Sequence, residues 1–126
     1  MRQHIASVYC LIAVLAFLLG MGCSQTPTAP APLAAESIPA ELDKAFGSAQ
    51  QATKDLVAKV NSGLQSKDYS SSYDAVQALC GAPGATKEQR ALSARAMLTI
   101  YGLLQTAQAQ GDQNAAAALR YHQMTK

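Results

Sequence analysis

The sequence has little of what catalytic, nucleic-acid-binding and sugar-binding proteins usually need. It contains no Trp, and aromatic residues make up 6% and charged residues 14% of its 126 positions. Ten Lys and Arg against eight Asp and Glu give a formal net charge of +2. This balance, with no basic run, argues against a nucleic-acid partner. The shortage of aromatic rings argues against a surface on which bases or sugars stack.

The polar residues also form no evident catalytic or metal-binding set. A metal site needs several convergent His, Cys or carboxylate ligands, and the sequence has two His, at positions 4 and 122. No glycine loop has the spacing that binds phosphate. We therefore predict no enzymatic activity, no cofactor, no metal and no small-molecule substrate. The acidic residues are spread singly: Glu36, Glu41, Asp43, Asp55, Asp68, Asp74, Glu88 and Asp112.

The three cysteines leave no pair for an internal disulfide. Cys10 and Cys23 lie in or at the end of an apolar N-terminal region, so Cys80 is alone in the remainder. Two interpretations of Cys80 stay open. It is either a small apolar residue packed near a helix end, or it forms an intermolecular disulfide in an oxidising compartment.

The N-terminal region has the layout of a secretory signal peptide. Arg2 supplies a positive start, residues 8–19 are uncharged and strongly apolar, and small Gly22 precedes Cys23. The apolar run is shorter than the roughly 20 residues that a membrane span needs. The layout resembles the signals of bacterial lipoproteins. Secretion with cleavage elsewhere and retention as an uncleaved anchor are the alternatives.

The resemblance implies a lipid anchor. In bacterial lipoproteins a peptidase removes the signal, here residues 1–22, and the Cys thiol, here of Cys23, carries a diacylglycerol. Several acyl chains on one residue hold a protein stably on a membrane. The non-acidic Ser24 implies, again by resemblance, sorting to the periplasmic face of the outer membrane in Gram-negative cells.

Residues 23–37 are rich in Ser, Thr, Pro and Ala, and they predict a disordered tether. Pro27, Pro30 and Pro32 prevent helix formation. At the polyproline rise of about 3.1 Å per residue, this segment reaches roughly 40 Å.

Residues 38–126 predict an all-α domain of two helical hairpins, in the order long-short-long-short. The first helix begins at Pro39 and carries one apolar stripe to about residue 64. Gly47 and Gly63 are expected to weaken it by about 1 kcal/mol each relative to Ala. The second helix spans about residues 70–80 and ends at a Gly-Ala-Pro-Gly sequence.

Local signals mark the starts of the later helices. Asp68, or one of the serines that follow it, can cap the second helix. Thr86 and Gln89 form a capping box at the start of the third helix, which has a wide apolar face. Asp112 can cap a fourth helix, over about residues 113–124.

The two halves of the domain are weakly alike. A shift of 44 residues places Lys67-Asp68 on Gly111-Asp112. A long helix, a small residue with Asp, and an Ala-rich second helix resemble tetratricopeptide-like helical hairpins. The expected packing is an irregular four-helix bundle or a short helical-repeat stack.

The sequence therefore predicts a lipid-anchored, non-catalytic binding module of the bacterial cell envelope. Tyr69 and Tyr121 are the candidate contacts for an envelope protein partner, while Tyr73 and Tyr101 are assigned to the core. The alternative is a structural spacer that self-associates or is linked to the cell wall. For wall linkage, Lys126 resembles the terminal Lys that murein lipoproteins join to peptidoglycan.

Overall fold

The computed structural model describes residues 29–125, which form a helical domain. A 3-10 turn at Ala35–Ser37 leads into five α-helices. They are α1 (Ile38–Phe46), α2 (Gln51–Ser66), α3 (Tyr69–Cys80), α4 (Lys87–Ala109) and α5 (Gln113–Met124). Residues 29–125 contain no strand, and the predicted all-α fold is confirmed. None of these helices is long and apolar enough to cross a membrane.

The predicted first long helix is two helices, which corrects the long-short-long-short order. α1 ends at Phe46, the Ala49 N–H donates to the Phe46 carbonyl in the turn that follows, and Gln50 is extended. The apolar stripe continues across this break because α1 and α2 face the same core. A stripe records which positions are buried but not whether the helix that carries them is continuous.

Four helices close into a ring, and the fifth lies outside it. α1 packs against α2 and α4, and α3 also packs against α2 and α4. α5 packs against α4 and more lightly against α3. A closed four-helix bundle is therefore present, but its members differ from those predicted. The divided first helix supplies two of them, and the predicted fourth helix is the one outside.

The apolar core has two clusters. Inside the ring, the first cluster unites side chains of all four helices: Ile38, Leu42, Phe46, Val57, Val60, Ala75, Val76, Leu79, Ala96 and Ile100. The second cluster lies between the later half of α4 and α5: Leu104, Ala107, Ala115 and Leu119. Tyr69 and Tyr73 are partly buried and pack against both clusters. Tyr69 thus joins the two parts of the core, and it is half-buried.

The turns that lead into α3 and α5 have the same construction. Lys67 (φ 61°) and Gly111 (φ 92°) adopt left-handed geometry, and each precedes an Asp. The Asp68 carboxylate accepts a hydrogen bond from the Ser71 N–H at 3.1 Å. The Asp112 carboxylate accepts bonds from two N–H groups at the start of α5. Both predicted caps are confirmed, and the 44-residue similarity corresponds to a repeated turn.

The capping box of α4 is also confirmed, and it does more than cap. The Thr86 N–H donates to Gln89 Oε1 at 2.8 Å, and the Gln89 N–H donates to Thr86 Oγ1 at 3.1 Å. Gln89 Nε2 donates to the Ala45 carbonyl at 2.7 Å. One side chain therefore caps α4 and ties its start to the end of α1.

We expect Gln89→Ala to destabilise the domain by about 2 kcal/mol, because it removes both a cap and the bond to Ala45. Thr86→Ala is the matched control. It breaks the box but leaves the bond to Ala45, and should cost about 1 kcal/mol. Urea unfolding followed by circular dichroism measures both changes. Equal losses for the two variants would show that the bond to Ala45 contributes nothing.

The chain packs on the bundle earlier than the sequence predicts. Arg95 Nε donates to the Ala31 carbonyl at 2.8 Å, and Thr99 Oγ1 donates to the Leu33 carbonyl at 2.6 Å. Leu33 is half-buried against the first cluster. The domain therefore includes residues 31–37, which the sequence analysis assigns to the tether. An extended segment has free carbonyls, and two α4 side chains donate to them.

Candidate functional site

The residues singled out from the sequence lie in different places. Cys23 and Lys126 are outside the described residues. Tyr121, on α5, is 62% exposed, as expected of a contact residue. Tyr69 is half-buried and lines a different depression from the one that Tyr121 lines. Asp68, Ser70 and Asn114 line both depressions, so the two tyrosines lie in adjoining parts of the same surface.

Tyr121 lines a groove between α3 and α5, which we call the α3–α5 groove. Its volume is about 460 Å³. Asp68, Ser70 and Asp74 line it from the side of α3; Asn114, Ala117, Ala118, Tyr121 and His122 line it from α5. The two alanines leave the space between the helices open. The polar side chains around them offer hydrogen-bond acceptors, and Tyr121 adds one exposed aromatic ring.

His122 closes part of this groove through contacts with α3. Its side chain is 12% exposed, and its Nε2 lies 3.5 Å from Asp74 Oδ1. The ring of Tyr73 meets the His122 ring edge-on, with the centroids 4.5 Å apart. Tyr121 also contacts His122, at 5.6 Å between centroids. His122 follows buried Leu119 by three positions, so the same face of α5 turns both towards the bundle.

Sequence reasoning missed the His122 cluster. It considered His122 only as one of two His, too few for a metal site. The i, i+3 spacing from Leu119 is the one local signal that places His122 on the packed face of α5. Its partners come from α3, some 50 positions earlier, and no local pattern predicts that pairing.

The groove carries negative charge. Asp74 is 59% exposed, and Asp68 is exposed as well. No Lys or Arg is among the lining residues. Burial, and then the neighbouring Tyr101, raise the pKa of Tyr73, so its phenol stays neutral to a higher pH than that of an exposed tyrosine. The exposed face of Tyr121 and the carboxylates suit a ligand that carries cations or hydrogen-bond donors.

A second depression, of about 310 Å³, lies at the other end of the ring. It separates the turn before α2 from the turn before α4. Phe46, Thr53, Pro83 and Gln89 are among its lining residues. It has no charged side chain. Among residues 29–125, no group of three His, Cys, Asp or Glu side chains could hold a metal ion.

Cys80 ends α3 as a half-buried free thiol. Burial raises its pKa, which keeps the thiol protonated and unreactive over a wider pH range. This setting agrees with the packed-residue interpretation.

We expect Cys80 to react with a thiol reagent at least about tenfold more slowly in the folded than in the urea-unfolded protein, because the thiolate is the nucleophile. The fold favours the neutral thiol. The contribution of the protonated Cys80 thiol to the stability of the fold is therefore complete below the unfolded pKa of about 8.5. It is lost as the pH rises through the folded pKa. Rates measured from pH 7 to 10 test this, with Ala109→Cys in a Cys80→Ser background as an exposed control. Equal rates at both sites would overturn it.

The α3–α5 groove unites an exposed aromatic ring, two carboxylates and an amide in one open depression. It is the candidate functional site of the described domain on this chain's own geometry. No protein-family model, curated protein or solved structure matches the sequence.

Proposed function

We propose that the chain is a bacterial lipoprotein, acylated at Cys23, whose helical domain is a non-catalytic binding module of the cell envelope. The observation that carries this proposal is the order of the first 23 residues: a positive start, an uncharged apolar run, and a small residue before Cys23. By the resemblance described above, the protein belongs on the periplasmic face of the outer membrane.

The α3–α5 groove supports a binding role for the domain. Its acidic side and the exposed ring of Tyr121 offer a cation or a donor-rich peptide both charge and an aromatic face. The groove is open along its length, which favours an extended or helical segment of a protein over an enclosed small molecule. We therefore place the partner, an envelope protein with a basic segment, in this groove.

The intact mass of the membrane-extracted protein tests the anchor. A species that starts at Cys23 and carries acyl mass is the expected result, and Cys23→Ser should abolish the added mass and release the protein from the membrane. An unacylated species cleaved at another position, or one that retains the first 22 residues, would overturn the proposal.

Site-specific photocrosslinking in cells tests the binding site. A photoreactive residue at Tyr121 should give one discrete crosslinked product with another envelope protein. The same residue at exposed Ala58 on α2, which makes no contact with α5, is the matched control. Equal products from both sites, or none from Tyr121, would count against a partner in the groove.

Two outcomes would favour the structural spacer instead. One is a crosslink from Tyr121 to a second copy of the chain, with a mass by light scattering that rises with concentration. The other is recovery of a peptide containing Lys126 from lysozyme-digested sacculi. Either result would contradict binding of a different protein as the main role.

A further inference from the structure

The N-terminal segment of the domain runs beside α4, and its contacts there show the direction from which the chain arrives. The Ala31 carbonyl binds Arg95 and the Leu33 carbonyl binds Thr99, so two residues of extended chain run beside four residues of helix. Four helical residues rise about 6 Å, close to the span of two extended residues. Followed backwards from Leu33 to Ala31, the chain runs in the direction of the first turns of α4.

The distance from there to the proposed anchor is short. Cys23 precedes Ala31 by eight positions. Fully extended, such a segment spans at most about 29 Å. Ala31, and the part of α4 around Arg95 on which it docks, are therefore held within about one small-domain diameter of the lipid. The second cluster, which holds α5, starts at Leu104 and lies farther along α4.

The charges of α4 are gathered at this same end. Lys87, Arg90 and Arg95 are its cations and Glu88 is its one acid, and the helix carries no charge from residue 96 to residue 109. Lys87 and Arg90 are exposed. Within residues 29–125, none of these three cations lies within 4.0 Å of a carboxylate oxygen.

From the path of the chain and this charge distribution, we propose that the first turns of α4 form a membrane-facing surface. Lys87 and Arg90 lie against anionic lipid headgroups, and Arg95 holds the incoming chain beside them. Basic side chains close to an anionic bilayer are attracted to it, and salt screens the attraction. α5 and the α3–α5 groove then point away from the membrane, towards the partner. This inference rests on the anchor at Cys23 proposed above.

A matched pair of sites on α4 tests the orientation. Ala91 and Ala109 are both exposed, and they lie 18 positions apart, which is five helical turns and therefore the same face. Each is changed to Cys in the full-length lipidated protein with Cys80→Ser, labelled with a fluorophore, and placed on phosphatidylglycerol vesicles containing a nitroxide-headgroup lipid. Because the sites are about 27 Å apart along the axis of α4, we expect at least about twofold stronger quenching at Ala91.

Charge reversal shows whether the basic residues set the orientation. Lys87→Glu with Arg90→Glu should bring the quenching at the two sites close to equal, as should zwitterionic vesicles. Equal quenching in the unmodified background on anionic vesicles would overturn the membrane-facing surface.

Vesicle flotation separates this inference from the proposal on which it rests. If the protein does not float with the vesicles and its mass lacks acyl chains, the lipid anchor is wrong and the orientation is rejected with it. If it floats with acyl mass and both sites are quenched equally, the anchor stands and the orientation alone is rejected.

Discussion

Gly63→Ala is expected to destabilise the domain by about 2 kcal/mol, although alanine is the better helix former. Gly63 is buried where α2 packs against the start of α3. A Cβ there would overlap the hydroxyl of Ser72 and stand 2.8 Å from the Asp68 carbonyl oxygen and 3.1 Å from the Ser72 nitrogen. Two of these atoms belong to the backbone of the turn and α3 and cannot rotate away. The buried bond from Ser72 Oγ to the Val60 carbonyl, 3.0 Å long, would also be disturbed.

Gly102→Ala is the matched control. Gly102 lies inside α4 and is exposed, and a Cβ added there would meet no atom within 4 Å. Here alanine should stabilise the domain by about 0.5–1 kcal/mol, through helix propensity alone. Urea midpoints of the two variants should therefore move in opposite directions. If Gly63→Ala also stabilised the protein, the close approach of α2 and α3 would be wrong.

Leu119→Ala is expected to detach α5 while the ring remains folded. Two residues of α5 are buried, Ala115 and Leu119, and Leu119 is the larger. Its truncation removes about 2–5 kcal/mol of packing, which is more than a short helix outside the ring can lose and stay docked. The ring keeps its own core, the first cluster.

Hydrogen exchange resolves this loss by position. Amides of α5 should lose protection in Leu119→Ala, while those of α2 and α3 keep theirs. Ile100→Ala, in the first cluster, should instead lower protection throughout the domain. Leu98→Ala, at a 44% exposed position, should change stability by less than about 0.5 kcal/mol. Uniform loss of protection in Leu119→Ala would show that α5 is part of the ring's cooperative unit.

The features that the sequence predicts correctly depend on residues close together in the chain. The caps at Asp68 and Asp112 and the capping box of Thr86 and Gln89 need no more than four consecutive positions. The all-α class likewise follows from apolar spacing along single helices. These signals are local, so neighbouring sequence is enough to identify them.

The features that it misses depend on contacts between distant parts of the chain. The sequence analysis expects Gly63 to weaken its helix, because helix propensity takes no account of the α3 atoms that lie against Gly63. The pair of His122 with Asp74 joins two helices that the sequence does not show to be neighbours. The attachment of Ala31 to Arg95 spans 64 positions, and composition alone assigns that segment to a tether.

The path of the chain along α4 also determines how the domain would carry mechanical load. A pull between the proposed lipid anchor and a partner in the α3–α5 groove enters at the bonds from Arg95 and Thr99 to the incoming chain. It leaves through the second cluster, on the later half of the same helix. α4 would therefore carry the tension between these two points, while α1 and α2 lie to one side of the line of force. The first contacts to yield would be the docked chain at one end or α5 at the other.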